Sequence, residues 1–506
     1  MLSAEIDNGP ALLASGTKRW WDRPSGPIPG ARLKWGGKGG SRVGIVPVAL
    51  KLPRQHLRRM KNIRNRKGYD LKISGAPSDE MVSLSVPATV AALPERIPFI
   101  KPRLRVKTGD AVQVGSILYE DKTDPRIVFA SPGGGVVADI VFGPRRVIRE
   151  IVITLDREES AVTFPALSET DLDGIARGDL VARLLDGGVW PLLRELPFRK
   201  IASPDGEPPA ILVGLDGREP FQPNPERYLG AEHRPLLDYG LKALRRLCDK
   251  VLVYTDPQRK DFCRSFQDVL THTIAGPYPA DDPGVLLYHL RRGPEDNRAW
   301  FIGGQDLLLL AGFLQNGTMP TERLFVVGGS GAAERQHVRS RLGAPLKHLV
   351  LAEPTCPEPR YVVGGVLRGY SGNPEGHVGL YETAVNVLPE AVEREFLNLF
   401  RPGFNKPTRS RTFVSAIKDA PQTMDTNING GRRACIACGY CSDVCPVDIL
   451  PQMALKSILA EEVEEYLAHG LLDCVECGLC SYVCPSKIEL VETFRQTKFD
   501  YHKEQV

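Results

Sequence analysis

The chain has 506 residues, 42% hydrophobic and 25% charged, with a formal net charge of +4. That length is more than one core supports and implies several domains, while the composition excludes a largely disordered chain. No uninterrupted apolar run reaches the roughly 18 residues of a membrane-crossing helix, and the opening MLSAEIDNGPALLASG lacks the basic start of a signal peptide, so a cytoplasmic location is expected.

The small net charge conceals an asymmetry. From Lys18 to Lys67 there are fifteen Lys or Arg against one acid, Asp22, a net of about +14. Trp20, Trp21, Pro24, Pro27, Pro29 and the glycines of WGGKGG argue against a packed domain, so residues 1–66 are read as a basic, partly irregular extension. Such a segment is either simply solvated or docks on an acidic protein partner or on anionic lipid. No nucleic-acid module follows it, so nucleic acid is not an expected partner.

Residues 67–160 read as short strands between Gly, Pro and Asp turns. In VIREIVITLD, strict alternation places Val147, Arg149, Ile151 and Ile153 on one face and Ile148, Glu150, Val152 and Thr154 on the other. The run from Val106 to Ile140 resembles the β sandwich of lipoyl and biotinyl carrier domains, in which a hairpin lysine is modified. Lys122 lies near that turn, but Asp-Lys-Thr-Asp-Pro is not an acceptor sequence, and Lys122 is expected to be a solvated turn residue.

Across residues 161–350, apolar β-rich runs such as AILVGL and KVLVYT alternate with helical patterns at Glu232 to Cys248 and in DFCRSFQDVL, which predicts a Rossmann-like parallel sheet covered by helices. Two strand-to-glycine junctions follow, WFIGGQDLLLLAGFL and LFVVGGSGAAE. Gly328, Gly329 and Gly331 in the second could aim backbone N–H groups at a phosphate where a helix starts; the plainer reading is a tight turn. Residues 351–400 return to β and turn, punctuated by Gly369, Gly372 and Gly376.

The strongest chemistry lies in residues 401–506. Cys435, Cys438, Cys441 and Cys445-Pro446 are spaced C-x2-C-x2-C-x3-C-P, and Cys474, Cys477, Cys480 and Cys484-Pro485 repeat the pattern. A cubane needs four thiolates around a compact core, and three cysteines at intervals of three let one loop wrap three corners. In two-cluster ferredoxins the fourth cysteine of each run serves the other cluster. Two [4Fe–4S] clusters are therefore expected, one on Cys435, Cys438, Cys441 and Cys484, the other on Cys474, Cys477, Cys480 and Cys445. Gly439 and Gly478 sit where each loop must turn tightly. Between the runs, Leu450, Met453, Ile458, Leu459, Val463, Tyr466 and Leu467 make a helical stripe ended by His469-Gly470. The alternative, a pair of structural zinc sites, does not require the third cysteine and the proline of each run. Cys248 and Cys263 fall in predicted helices and read as small buried hydrophobes, and Cys356 has no partner at ligand spacing.

Taken together, KGYDLKISGAP, VKTGDAVQVGSILYEDK, GGVWPLLRELPFRKI, AWFIGGQDLLLLAGFL and CSYVCPSK make the chain, over about residues 61–500, similar to the family that joins RnfC of the Rnf complex and NqrA of the sodium-translocating NADH:quinone reductase. The resemblance implies a multidomain α+β fold with a barrel-sandwich-hybrid-like β domain, a Rossmann-like domain, a β-grasp (SLBB-like) domain over residues 351–400 and a helical dicluster ferredoxin-like domain. It also implies a peripheral subunit on the cytoplasmic side of the cell membrane, in an ion-pumping oxidoreductase whose membrane subunits are its partners, with quinone or a soluble electron carrier as a further partner. The sequence departs from the commoner NqrA pattern by keeping all eight cysteines. It departs from RnfC where a glycine-rich flavin loop should stand, since Asp186-Gly187-Gly188-Val189-Trp190-Pro191 lacks that pattern. FMN is therefore not expected in this protein, and an electron wire is the simpler role. A soluble flavin-dependent NAD(P)H dehydrogenase and an assembly scaffold with structural clusters are the alternatives.

Overall fold

In the computed structural model, which describes residues 60–391, 402–404, 408, 413–417, 420–428 and 431–505, the described strands form four sheets. The basic extension lies almost wholly outside the described residues. Its last part departs from the expected irregular segment, because Lys61–Arg64 is a strand pairing in parallel with His272–Ala275. Lys61 N–H donates to Thr271 O and Asn65 N–H to Ala275 O, so the segment is held at the sheet edge by main-chain bonds that its basic composition does not disclose.

The largest sheet has seven strands in the order Lys61–Arg64, His272–Ala275, Val251–Thr255, Ile211–Gly214, Ala299–Gly303, Arg194–Leu196, Lys200–Ile201. The first five are mutually parallel; Arg194–Leu196 runs antiparallel to Ala299–Gly303, and Lys200–Ile201 antiparallel to Arg194–Leu196. Ile211, Leu212, Val213 and Val253 are fully buried, as expected for central parallel strands covered on both faces. The strands from Ile211 to Gly303 follow the spatial order 3-2-1-4 of doubly wound sheets, which opens a crevice beyond the carboxyl ends of Ile211–Gly214 and Ala299–Gly303. Helix Arg234–Leu247 buries Leu237, Leu241 and Leu244 on one face against helix Gly304–Asn316. Gly240 permits that approach, since a Cβ there would come within 2.9 Å of Leu307. Helix Gly304–Asn316 is buried nearly all round and stops at Gly317, φ 71°.

The β domain is two small antiparallel sheets, Thr89–Ala92, Ile148–Leu155, Gly135–Phe142 and Ala111–Val112 in one, Pro102–Leu104, Ile117–Asp121 and Val128–Ala130 in the other. Ile151 and Ile153 are buried as alternation predicts, but Ile148, expected on the opposite face, is buried too and Val147 is exposed. A register shift between Val141 and Phe142 explains this: the bulge turns Ile148 back into the core. Lys122 is exposed in the turn after Ile117–Asp121, with its N–H donated to Lys101 O.

A six-stranded mixed sheet runs Tyr370–Gly372, Pro359–Val363, Ala384–Pro389, Glu322–Gly328, His337–Arg341, Met81–Ser83. Residues 351–400 supply only three of these strands. Two others come from the segment expected to close the Rossmann-like domain, because Glu322–Gly328 pairs with Ala384–Pro389 and not with Ala299–Gly303.

The single helix expected between the cysteine runs is two, Pro451–Leu459 and Val463–Ala468, broken at Glu461 with φ 59°. The buried face is Ala454, Leu455 and Tyr466, while Leu459, Met453, Val463 and Leu450 of the expected stripe are exposed. The break rotates the second helix out of register with the first. Val444, Cys445, Val447, Val475, Cys477, Leu479 and Val483 share one core with Leu212, Tyr254, Ile274, Tyr278 and Phe301, so the cysteine segment packs directly on the seven-stranded sheet.

Candidate metal centre

Each cysteine run is a loop followed by one helical turn, Tyr440–Asp443 in the first and Leu479–Tyr482 in the second, and the two turns pack on each other. The halves repeat in conformation as well as in sequence. Positive φ recurs at Ala437 and Glu476 (53° and 55°), Gly439 and Gly478 (81° and 78°), and Asp448 and Lys487 (both 54°), each pair separated by the interval between Cys435 and Cys474. Glycine at 439 and 478 lets the chain reverse after the second cysteine so that the third returns toward the first.

Cys435, Cys438, Cys441 and Cys484 line one cavity together with Gln452, Leu455 and Ile488. This is the first of the two crossed sets, with the fourth cysteine coming from the other run. Cys435 and Cys438 are exposed, Cys441 and Cys484 buried. Gln452 lies 3.2 Å from Cys441 Sγ and accepts from Ser442 Oγ at 2.7 Å. In the second set, Cys445, Cys477 and Cys480 are buried and Cys474 half-buried. Burial, reinforced by Cys474, pushes Cys477 up to about 12. Burial with Cys474, Cys477, Cys445 and Cys441 as neighbours pushes Cys480 well up as well. The thiols of this set thus oppose one another's ionisation. Among the described residues no three Cys, His, Asp or Glu side chains converge on a point fit for one metal ion. The four cysteines around the first cavity line a space, which suits a multi-iron core whose corners each take a different thiolate.

The second loop is tied down by side chains from the loops around the large sheet and from the last helix, Leu490–Gln505. Tyr278 Oη donates to Cys477 O at 2.9 Å, Arg199 Nη2 to Val475 O at 3.2 Å, and Lys498 Nζ to Cys474 O at 3.1 Å. Arg291 pairs with Asp473 at 2.9 Å, and Tyr69 stacks on Tyr482. Among the described residues fewer outside side chains hold the first loop: Lys67 Nζ donates to Ser442 O at 3.2 Å and pairs with Asp448 at 2.6 Å, and Tyr288 Oη donates to Asp448 at 3.3 Å.

An ionic network fills the crevice end of the parallel strands. Burial alone would raise the Asp282 carboxyl, but Arg199 and Arg368 hold it below its ordinary range, at 2.7 Å each. Asp216 is pushed up to about 7 by burial and by Asp281; its Oδ2 accepts from Asp256 N–H at 3.0 Å, while Oδ1 has no hydrogen-bond partner among the described residues. Spacing patterns miss this network, because its members come from separate loops.

Gly328, Gly329 and Gly331 do not form the phosphate cradle that their sequence allowed. Gly329 N–H donates to Gly75 O and Gly331 N–H to Val387 O, both at 2.9 Å, and the chain continues into strand His337–Arg341, not a helix. Where the flavin loop would stand, a Cβ at Gly187 would overlap the Phe313 ring, and Trp190 is fully buried with its indole N–H on Ala202 O. Cys248 caps the end of helix Arg234–Leu247, outside it, and Cys263 lies in helix Lys260–Ser265; both are half-buried, with thiols on Pro208 O and Asp256 O.

Three family descriptions match the chain: "NqrA N-terminal barrel-sandwich hybrid domain" over residues 63–156, "NqrA second alpha/beta domain" over 175–319 and "4Fe-4S dicluster domain" over 434–488. Among curated proteins, the NqrA component of the Na(+)-translocating NADH-quinone reductase from Rhodopirellula baltica is 31% identical over 415 residues, 81% of this chain and 91% of that one. The proteins of the same name from Klebsiella pneumoniae and Histophilus somni are 33% and 30% identical, over 81% of this chain and 92% of theirs. Of solved structures, an NAD+-reducing [NiFe]-hydrogenase in the air-oxidized state matches 47% of this chain and 53% of its own at TM-score 0.32 and 15% identity, a likeness too slight to bear on fold or function.

Proposed function

The chain belongs to the NqrA family of the Na+-translocating NADH-quinone reductase, and from that premise we propose that it is the peripheral electron-transfer subunit of an Nqr-type complex, holding two [4Fe–4S] clusters. The observation that carries the reading is the cavity that gathers Cys435, Cys438 and Cys441 with Cys484 of the other run, as the crossed ligation of a two-cluster ferredoxin would require. Bound clusters would supply one-electron transfer, which no side chain here provides alone. The protein's own part is to present eight thiolates, to hold the loops by their positive-φ turns, and to exclude water from the second set while leaving Cys435 and Cys438 at the surface. An electron partner therefore meets the first set, and the second faces the interior of the α/β domain. No helix among the described residues is long and apolar enough to cross a membrane, which suits a protein attached through the membrane partners of its complex on their cytoplasmic side. The mixed six-stranded sheet is read as the β-grasp unit. Phe313 and Trp190, packed where the flavin loop would stand, favour a wire without FMN over a flavin dehydrogenase.

The test takes one ligand from each set. Cys441→Ala and Cys480→Ala are each expected to lose roughly half of the iron and one of two EPR signals. A variant that keeps full iron content and both signals sinks the assignment of that cysteine.

A further inference from the structure

The two cysteine halves follow the same backbone plan, yet one ion pair exists in only one of them. Lys498 is 1% exposed, and its three N–H donors are all used: Glu476 Oε1 at 2.7 Å, Pro197 O at 2.8 Å and Cys474 O at 3.1 Å. Glu476 stands between Cys474 and Cys477, held at φ 55° and paired also with Arg495 at 3.4 Å. Helix Leu490–Gln505 begins at the position that Pro451 holds in the first half, so the counterpart of Lys498 is Leu459, 70% exposed, and the counterpart of Glu476 is Ala437. Burying an ammonium is costly unless it is paired and fully hydrogen-bonded, and the first half forms the same loop without one. Loop geometry alone therefore does not require the pair.

Resting on the two-cluster reading above, we propose that Lys498 and Glu476 set the reduction potential of the cluster held by Cys474, Cys477, Cys480 and Cys445, and so make it electronically distinct from the first. Reduction adds one electron and no atom leaves, so the cluster gains one negative charge. A buried cation beside it favours the reduced form and a buried anion the oxidised form, with little screening from water. The remaining charges around the loop are Arg495, which also pairs with Glu476, and the groups Arg291–Asp473 and Arg199–Asp282–Arg368, none of which either substitution removes. Lys498 and Glu476 are positioning residues: Lys498 Nζ donates to Cys474 O and to Glu476 Oε1, and the pair acts on the cluster through its charge.

The experiment is a reductive titration followed by EPR on the full-length protein as purified with its clusters. It compares wild type, Lys498→Met, Glu476→Gln and Lys498→Arg, with Cys441→Ala used to assign the second cluster's signal. Lys498→Met is expected to move that signal's midpoint to lower potential, Glu476→Gln to move it higher, and Lys498→Arg to leave it near wild type, the first cluster's midpoint being unmoved in all three. A purely structural clasp does not give shifts of opposite sign. Shifts in the same direction, no shift in Glu476→Gln, or an equal shift of both signals overturns the proposal. If Lys498→Met does not fold, the upward shift in Glu476→Gln still decides. Absence of two clusters from the wild type overturns the underlying reading, whereas two clusters with unmoved midpoints overturn only this inference.

Discussion

Gly439 and Gly478 adopt the same left-handed conformation in unequal surroundings. No described residue lies within 4 Å of where a Cβ of residue 439 would be, whereas one at 478 would come within 2.9 Å of Leu367 O. Gly439→Ala should therefore cost only the backbone strain, about 1 kcal/mol, and Gly478→Ala distinctly more. Thermal unfolding of the cluster-loaded variants checks the order; equal losses would show that Leu367 does not crowd the second loop. Asp216 carries a different prediction. Its folded pKa of about 7 lies above the unfolded value of about 3.9, so the folded state holds a proton that the unfolded state has lost. Stability should then fall as pH rises through the window between those values and level off above it, by an amount of order 4 kcal/mol at most. Asp216→Asn is expected to flatten that slope in denaturant titrations at pH 5, 6 and 7, and an unchanged slope would place the raised pKa elsewhere. The cysteines and loop glycines were legible in sequence because cluster chemistry demands local spacing. Lys498, in TKFDYHKEQ, reads as one more surface charge, since one of its partners, Pro197 O, lies far away in the chain.

At the scale of elements, periodicity identified strands and helices wherever burial on one or both faces dominates, as in Ile211–Gly214 and helix Arg234–Leu247. It failed where one residue changes the register. Glu461 breaks the helix between the cysteine runs and leaves Leu459 outside, and the bulge beside Phe142 sends Ile148 inward. The six-stranded sheet was not legible because its strands come from residues 81–83, 322–341 and 359–389, and pairing over such separations leaves no local trace. The edge strand Lys61–Arg64 belongs to the same class. A chain beginning at Lys67 would uncover the edge of His272–Ala275 and lose the bond from Thr273 Oγ1 to Asn62. We expect its unfolding midpoint to fall by roughly a few degrees, with more aggregation from the open edge. Calorimetry and light scattering indistinguishable from the full chain would show that the strand contributes nothing.

Over the whole molecule, the decisive arrangement is the cysteine segment seated on the parallel sheet, the first set with Cys435 and Cys438 at the surface and the second set's loop held by Tyr278, Arg199 and Lys498. Under the proposed two-cluster reading, that asymmetry would give the electron path two different ends, a property no spacing rule contains. Attachment through membrane partners predicts that an alkaline wash of membranes carrying the complex releases this chain while the embedded proteins stay behind; retention in the pellet would require an anchor of its own. The central claim, that the eight cysteines hold two clusters, is tested most directly by anaerobic iron and acid-labile sulfide analysis with EPR of the reduced protein. Two cubanes predict about eight iron and about eight sulfide per chain, with signals from two interacting paramagnetic clusters. Zinc without sulfide in the same sample would contradict it.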